Sequence, residues 1–220
     1  MHRRQFLVAN LLLGCGALAG TGCRSKQIAS VRTPGQGDMV GSHTAGAETF
    51  KPLVEEAVGS LLTRHAPQAV PAGTIPPPPM RICFVAVENK SAEEIGDFKD
   101  QIYEVIDTKI VNSHVFAPVN KRFVEAGLMQ TRLRPDQLFV PENMRGFTLA
   151  MEQAGQPFDF LLYATITSGT THSNKDYQRD YLLTLEMIHV KTGQYDKQAA
   201  SLSKGYHHSR VSNWFDKMKT

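Results

Sequence analysis

The sequence predicts an α/β (α+β) domain, a mixed β-sheet of about five strands flanked by helices. Three observations predict it. First, residues 160–194 alternate with a period of two: Phe160, Leu162, Ala164 and Ile166 share one face, then Tyr181, Leu183, Leu185 and Met187 do the same in a second run. Such alternation among aromatic and β-branched residues marks half-buried strands, here an antiparallel pair with a polar loop over residues 171–179. Second, residues 81–87 are a short continuous β-rich run, apolar from Ile82 to Val87, as in a strand covered on both faces. Third, apolar residues recur at three- and four-residue spacing in the segments around them, which marks amphipathic helices.

Residues 1–22 read as a targeting segment. Arg3 and Arg4 open it, residues 6–19 are mostly apolar, and Gly20, Thr21 and Gly22 precede Cys23. The apolar stretch is too short to span a bilayer. Arg3, Arg4, Phe6 and Leu7 match the spacing of a twin-arginine export motif, with a general secretory signal as the alternative. Small residues before a cysteine resemble a bacterial lipoprotein signal, in which the thiol carries diacylglycerol, with palmitate, and the cysteine becomes the first residue. Cys15 follows a better-matched Leu12-Leu13-Gly14 but leaves a very short leader. Cys23 is therefore the expected anchor and Cys15 the runner-up. Acyl chains at about 0.8 kcal/mol per buried methylene would hold the chain on a membrane surface.

With those two cysteines used or removed, only Cys83 remains, so no internal disulfide is expected. Within its apolar run it reads as a small buried hydrophobe. The formal net charge is +3, and Arg3 and Arg4 account for two of the three charges. A near-neutral remainder gives no reason to expect a nucleic-acid partner.

Residues 23–48 are polar and aperiodic, a flexible tether behind the anchor. In residues 49–64, Leu53, Val54, Ala57, Val58, Leu61 and Leu62 form one apolar stripe, and Pro52 suits a first helical turn. Prolines at 67, 71 and 76–79 read as a stiff spacer, so residues 49–80 form a helix-and-spacer unit ahead of a domain at 81–220. After the strand at 81–87 and a turn at Glu88-Asn89-Lys90, Ser91 is placed to cap a helix, with Glu93 and Glu94 favouring its dipole. Ile95, Phe98, Ile102, Ile106 and Ile110 supply its apolar stripe. A short strand follows at 115–119. Asn120 then caps a helix through about Met129, with Phe123, Val124 and Leu128 inward. Residues 133–140 form a turn around Pro135. Pro141 starts a helix carrying Met144, Phe147, Leu149 and Met151, and Gly155 stops it. Residues 199–206 offer a last strand, and 211–219, with Trp214 and Phe215, a short terminal helix.

No constellation in the chain supports catalysis. Lys191-Thr192-Gly193 and the Ser201/Lys204 pair match motifs of penicillin-recognising serine enzymes, but in reversed order and with no S-x-N triplet. His207-His208 lacks partners at metal-ligand spacing, so no metal is expected. Asp97, Asp100, Glu104 and Asp107 alternate with Lys99 and Lys109 as a solvated helix face. Neither an enzyme nor a bound cofactor is expected beyond the covalent lipid.

Phe84-Val-Ala-Val-Glu-Asn-Lys-Ser91, Asp159-Phe-Leu-Leu-Tyr-Ala-Thr-Ile-Thr-Ser168 and Leu182-Leu-Thr-Leu-Glu-Met-Ile-His-Val-Lys-Thr-Gly-Gln194 together resemble the LpoB family. The resemblance covers roughly residues 81–206. It departs after Gly193, where this chain has Tyr195-Asp196-Lys197 and the family often has an apolar residue and Trp. The resemblance implies a fold shared with the curli secretion lipoprotein CsgG and the TolB N-terminal domain. It also implies an outer-membrane lipoprotein facing the periplasm that activates a bifunctional penicillin-binding protein, a peptidoglycan synthase. Arg24, rather than Asp, after the anchor agrees with the outer membrane. No docking residue carries over. Asn89, Lys90, Asn120, Lys121 and Arg122, taken as exposed polar groups at the sheet edges, are the partner-binding candidates, with solvated surface as their plainer reading. The alternative function is a structural subunit of a CsgG-like secretion complex.

Overall fold

Strand β1 (Met80–Lys90) carries the sheet, because its side chains are buried on both sides. Ile82, Phe84 and Val87 enter one core, while Cys83, Val85 and partly buried Ala86 enter another. Two consecutive residues can face the same way because the pairing of β1 with its neighbour slips between Phe84 and Ala86, a β-bulge. The apolar pocket around Cys83 pushes its thiol well above its ordinary pKa, so it packs as a hydrophobe.

In the computed structural model, residues 45–66, 78–173 and 176–206 are described. The export residues Arg3, Arg4, Phe6 and Leu7, Cys15 and Cys23, the prolines at 67–77, His207-His208 and the helix expected at 211–219 lie outside the described residues.

The sheet has five strands in the order β2-β1-β3-β4-β5. β2 (Phe116–Pro118) and β3 (Phe160–Ser173) run parallel to β1 on its two sides. β4 (Asp176–His189) and β5 (Tyr195–Tyr206) follow as an antiparallel meander. Helices α1 (Ala47–Arg64) and α2 (Phe98–Ser113) cover one face. Helices α3 (Lys121–Thr131) and α4 (Pro141–Gln153), joined by a 3-10 turn (Pro135–Phe139), cover β1 and the near part of β3 on the other. The expected mixed sheet of about five strands with flanking helices is the fold observed.

Several local expectations need correction. The β3–β4 connection is not a long loop: the strands stay paired out to Ser173 and Asp176. Thr170, Thr171 and Tyr177 favour extended backbone, and Tyr177 gains a stacked partner, Tyr206, at 4.5 Å between ring centres. Ser91 does not cap a helix. Its hydroxyl donates to Asn89 Oδ1 at 2.7 Å in a turn, and α2 starts only at Phe98. Glu93 is buried instead. Phe123, expected inward, is exposed, and so is Leu149. The sequence reading sets α1 ahead of a domain begun at residue 81; its Phe50, Leu53, Val54, Ala57, Val58 and Leu61 are buried in the main core.

Two polar groups of contacts hold α1 in place. At its start, Glu93 accepts the Ala45 N–H at 2.6 Å and the Tyr181 hydroxyl at 2.9 Å, and pairs with Arg179. Glu48 pairs with Lys204 at 2.7 Å. Burial alone would raise the Glu48 pKa; the Lys204 bond and charge and nearby backbone N–H groups outweigh it, and the net shift is downward. At the end of α1, Asp196 of β5 binds His65 Nε2 at 2.8 Å and pairs with Arg64. These contacts fix both ends of the helix over the sheet, so both cores lie within residues 45–206 and the segment carries what the fold needs.

Two glycines give opposite expectations. Gly59 in α1 has open space where a Cβ would sit, so Gly59→Ala should raise stability by about 0.5–1 kcal/mol through the unfolded chain. At Gly127 in α3 the same atom would lie 2.6 Å from Met151 Sδ and 3.0 Å from the Phe147 ring. Gly127→Ala should therefore lose about 1–2 kcal/mol despite the better helix former. Urea melts of both variants check the pair; a stabilised Gly127→Ala would show that α3 and α4 pack less closely.

Candidate functional site

Helices α3 and α4 stop short of the far strands, which leaves one face of β3–β4–β5 open. Register sets what that face shows. Glu88 and Lys90 of β1 lie beside Thr165 and Thr167 of β3. Those pair with Thr184 and Leu182 of β4, which pair in turn with Ala199 and Ser201 of β5. Farther along, Tyr163, Glu186 and Lys197 form the next row, and Leu161, Ile188 and Tyr195 the last. Leu182 is 39% exposed and Tyr195 51%.

The face is braced by a carboxylate network. Tyr163 donates to Glu88 at 2.7 Å, and Lys90 pairs with the same carboxylate at 2.7 Å. Tyr195 donates to Glu186 at 2.6 Å, and Lys197 lies 3.5 Å from it. Burial pushes the Tyr195 hydroxyl up to about 12, with the Glu186 bond adding to it, so it stays a donor at neutral pH. For Glu88, burial is the largest influence and acts upward. The Lys90 and Tyr163 hydrogen bonds and the charges of Lys90 and Lys99 together exceed it, so its pKa falls below the ordinary value.

Beside the face lies a groove of about 520 Å³ between α4 and the β4–β5 turn. Phe139, Met144, Leu149, Ile188 and Val190 give it apolar walls, and Arg145 and Lys191 stand at its rim. Phe139 closes edge-on against Tyr163 at 5.3 Å, so groove and sheet face form one surface. Leu149 is 55% exposed, and Val140 at the start of α4 is also exposed. Gly193, at φ +71, lets the β4–β5 turn fold back beside the groove. A surface of this size, apolar in the middle and charged at its edge, suits contact with a protein.

The structure separates the five candidate residues. Lys90 lies on the open face. Asn89 is used internally: its amide donates to the Glu93 carbonyl at 2.7 Å and its oxygen accepts from Ser91. Asn120, Lys121 and Arg122 sit with β2, which pairs only with Met80–Ile82, about 25 Å along β1 from Lys90. There Asn120 caps α3 through the Arg122 N–H at 3.0 Å. Lys121 lies 3.6 Å from both Asp100 and Glu104 and 4.4 Å from the Tyr103 ring centre. Arg122 is exposed. Sequence reasoning missed the groove. The available signal was Leu149, which falls out of phase with Met144, Phe147 and Met151 on α4.

Because Glu88 is held ionised more easily folded than unfolded, its contribution is complete above its unfolded pKa of about 4 and is lost as pH falls through the lower folded value. Glu88→Gln should therefore melt below the parent protein at neutral pH, and the gap should close in acid. Thermal melts across that range check it; a gap that widens in acid would refute the stated role.

A protein-family profile, Peptidoglycan-synthase activator LpoB, matches residues 49–195. A comparison with curated proteins finds no match. Among solved structures, the chain is similar to the LpoB C-terminal domain from Salmonella enterica: 16% identity, TM-score 0.44, covering 72% of this chain and 98% of that one. For the LpoB C-terminal domain from Escherichia coli the values are 18%, 0.44, 68% and 98%. Lipoprotein GNA1162 from Neisseria meningitidis gives 16%, 0.43, 64% and 94%. The profile spans α1 to the first residue of β5, well over half of the chain, and on that match the protein belongs to the LpoB family of peptidoglycan-synthase activators, which act without catalysis of their own.

Proposed function

We propose that this domain activates a bifunctional penicillin-binding protein by docking its open sheet face and the α4 groove on the synthase. The observation that supports this reading is the single continuous surface in which exposed Leu149, Tyr195 and Leu182 lie beside Lys90, Arg145 and Lys191. Elsewhere the same sheet is covered by helices. An activator without chemistry of its own works only through unequal affinity for two states of its partner, so the docked face must fit the active synthase better. A preference of about 1.4 kcal/mol gives a tenfold shift in that balance.

In the same proposal, Cys23 carries the lipid that holds the chain at the outer membrane, and residues 24–44 reach from there into the periplasm. Palmitate incorporation in the host tests this part, with Cys23→Ser losing the label and Cys15→Ser keeping it.

The docking test adds residues 45–220 to the purified bifunctional synthases of the host and follows binding and glycan polymerisation together. The parent domain should bind and accelerate polymerisation. Leu149→Glu should weaken binding at least tenfold with an unchanged melting temperature, because Leu149 is exposed, and Lys90→Glu several-fold with a lower melting temperature, because it breaks the pair with Glu88. Full binding by Leu149→Glu would remove the groove from the interface.

A further inference from the structure

A second apolar cleft lies on the other side of the molecule, between the first two turns of α1 and of α2. Phe50 and Val54 form one wall; Phe98, Ile102 and Val105 form the other. It is shallow, about 60 Å³, and Val105 at its mouth is 39% exposed. The cleft is close to where the chain continues past β5. The Tyr206 hydroxyl lies 2.8 Å from that of Tyr181, whose ring stands edge-on to Phe50 at 6.4 Å between centres. Lys204, two residues earlier, pairs with Glu48 in the first turn of α1.

Beyond Tyr206 the sequence places Val211, Trp214, Phe215 and Met218 at positions i, i+3, i+4 and i+7. That is the anchor pattern of an amphipathic helix that lays one apolar face in a groove. We propose that residues 211–218 dock as such a helix on the α1–α2 cleft, with Trp214 or Phe215 against Val105 and Phe98.

Reach decides between the two apolar surfaces. Four linking residues extend about 13 Å, and eight helical residues add about 12 Å. The α4 groove adjoins the start of β5, eleven residues from Tyr206 along the strand, about 36 Å away and on the opposite sheet face. The helical segment is too short to arrive there. The α1–α2 cleft is within its range, since its Phe50 wall lies one ring beyond the Tyr206–Tyr181 contact. Docking of the tail thus closes the cleft and leaves the α4 groove free.

Trp214 is the chain's sole tryptophan, so its fluorescence reports the docking directly. In residues 45–220 the emission should be blue-shifted from that of the urea-unfolded protein and protected from acrylamide. Val105→Asp should move it to the unfolded position with only the small loss of far-UV circular dichroism that one undocked eight-residue helix gives, and Leu149→Asp in the distant groove should leave it where it was. Should Val105→Asp disturb the fold, methyl resonances of Val105 give the same answer: removing residues 207–220 should shift them. Unfolded-like emission in the parent, an unmoved emission in Val105→Asp, or unmoved Val105 methyls would each overturn the proposal. Protection that grows with protein concentration would do so too, since it would place a second copy in the cleft.

Discussion

The constraint on which the rest depends is the parity of β1. A strand buried on both sides must present apolar residues alternately, and β1 breaks that alternation once, at the bulge between Phe84 and Ala86. Val85 and Ala86 both turn toward α3 and α4 as a result, and Val87 remains in the core under α1 and α2. A regular strand would send Glu88 and Lys90 into that core, because a one-residue slip exchanges the two faces. Burying an unpaired charge costs several kcal/mol, so the regular register is excluded. The bulge puts Glu88 and Lys90 on the open face, where Tyr163 meets them. Packing in the middle of the protein and chemistry at its proposed docking surface thus follow from the same extra residue.

Past the bulge, Asn89 points to the other side and ties its turn to Glu93. Glu93 joins four parts of the chain: its own loop, the start of α1 through Ala45, β4 through Arg179 and Tyr181, and β5 through the Tyr181–Tyr206 contact. A carboxylate this deeply placed persists only because its oxygens are occupied by donors; removing one partner of such a pair typically costs about 3–5 kcal/mol. Its effect is architectural. It holds α1 where the described chain enters the domain, and the Asp196 contacts with Arg64 and His65 hold the other end of the same helix. The open face is backed for that reason, since α1 packs on β4 and β5 from behind.

Much of the fold was legible in the sequence because its signals are periodic. The alternation from Phe160 and from Tyr181 gave the central strands, and the stripe at Leu53, Ala57 and Leu61 gave α1. The bulge was not legible, since a continuous apolar run looks the same in either parity. Glu93 was misread as a helix-dipole residue because its partner Arg179 lies far along the chain and short-range capping rules are all that a local reading offers. The polar hairpin was taken for a loop because Asn174 and Asp176 signal turns, while the stacking of Tyr177 on Tyr206 is a tertiary event. The candidate surface was legible only at Lys90. Its larger part joins α4 to the β4–β5 turn, two segments with no shared pattern in sequence.

In the proposed function, a peptidoglycan synthase is engaged through the open face and the α4 groove. Hydrogen–deuterium exchange on the domain, free and with a saturating bifunctional synthase, tests it most directly. Slower exchange should appear in the 3-10 turn and the first half of α4, across the β4–β5 turn, and at the end of β1, with α2 and α3 unchanged. Protection concentrated on α2 or α3, with none around Leu149 and Tyr195, would rule out that docking.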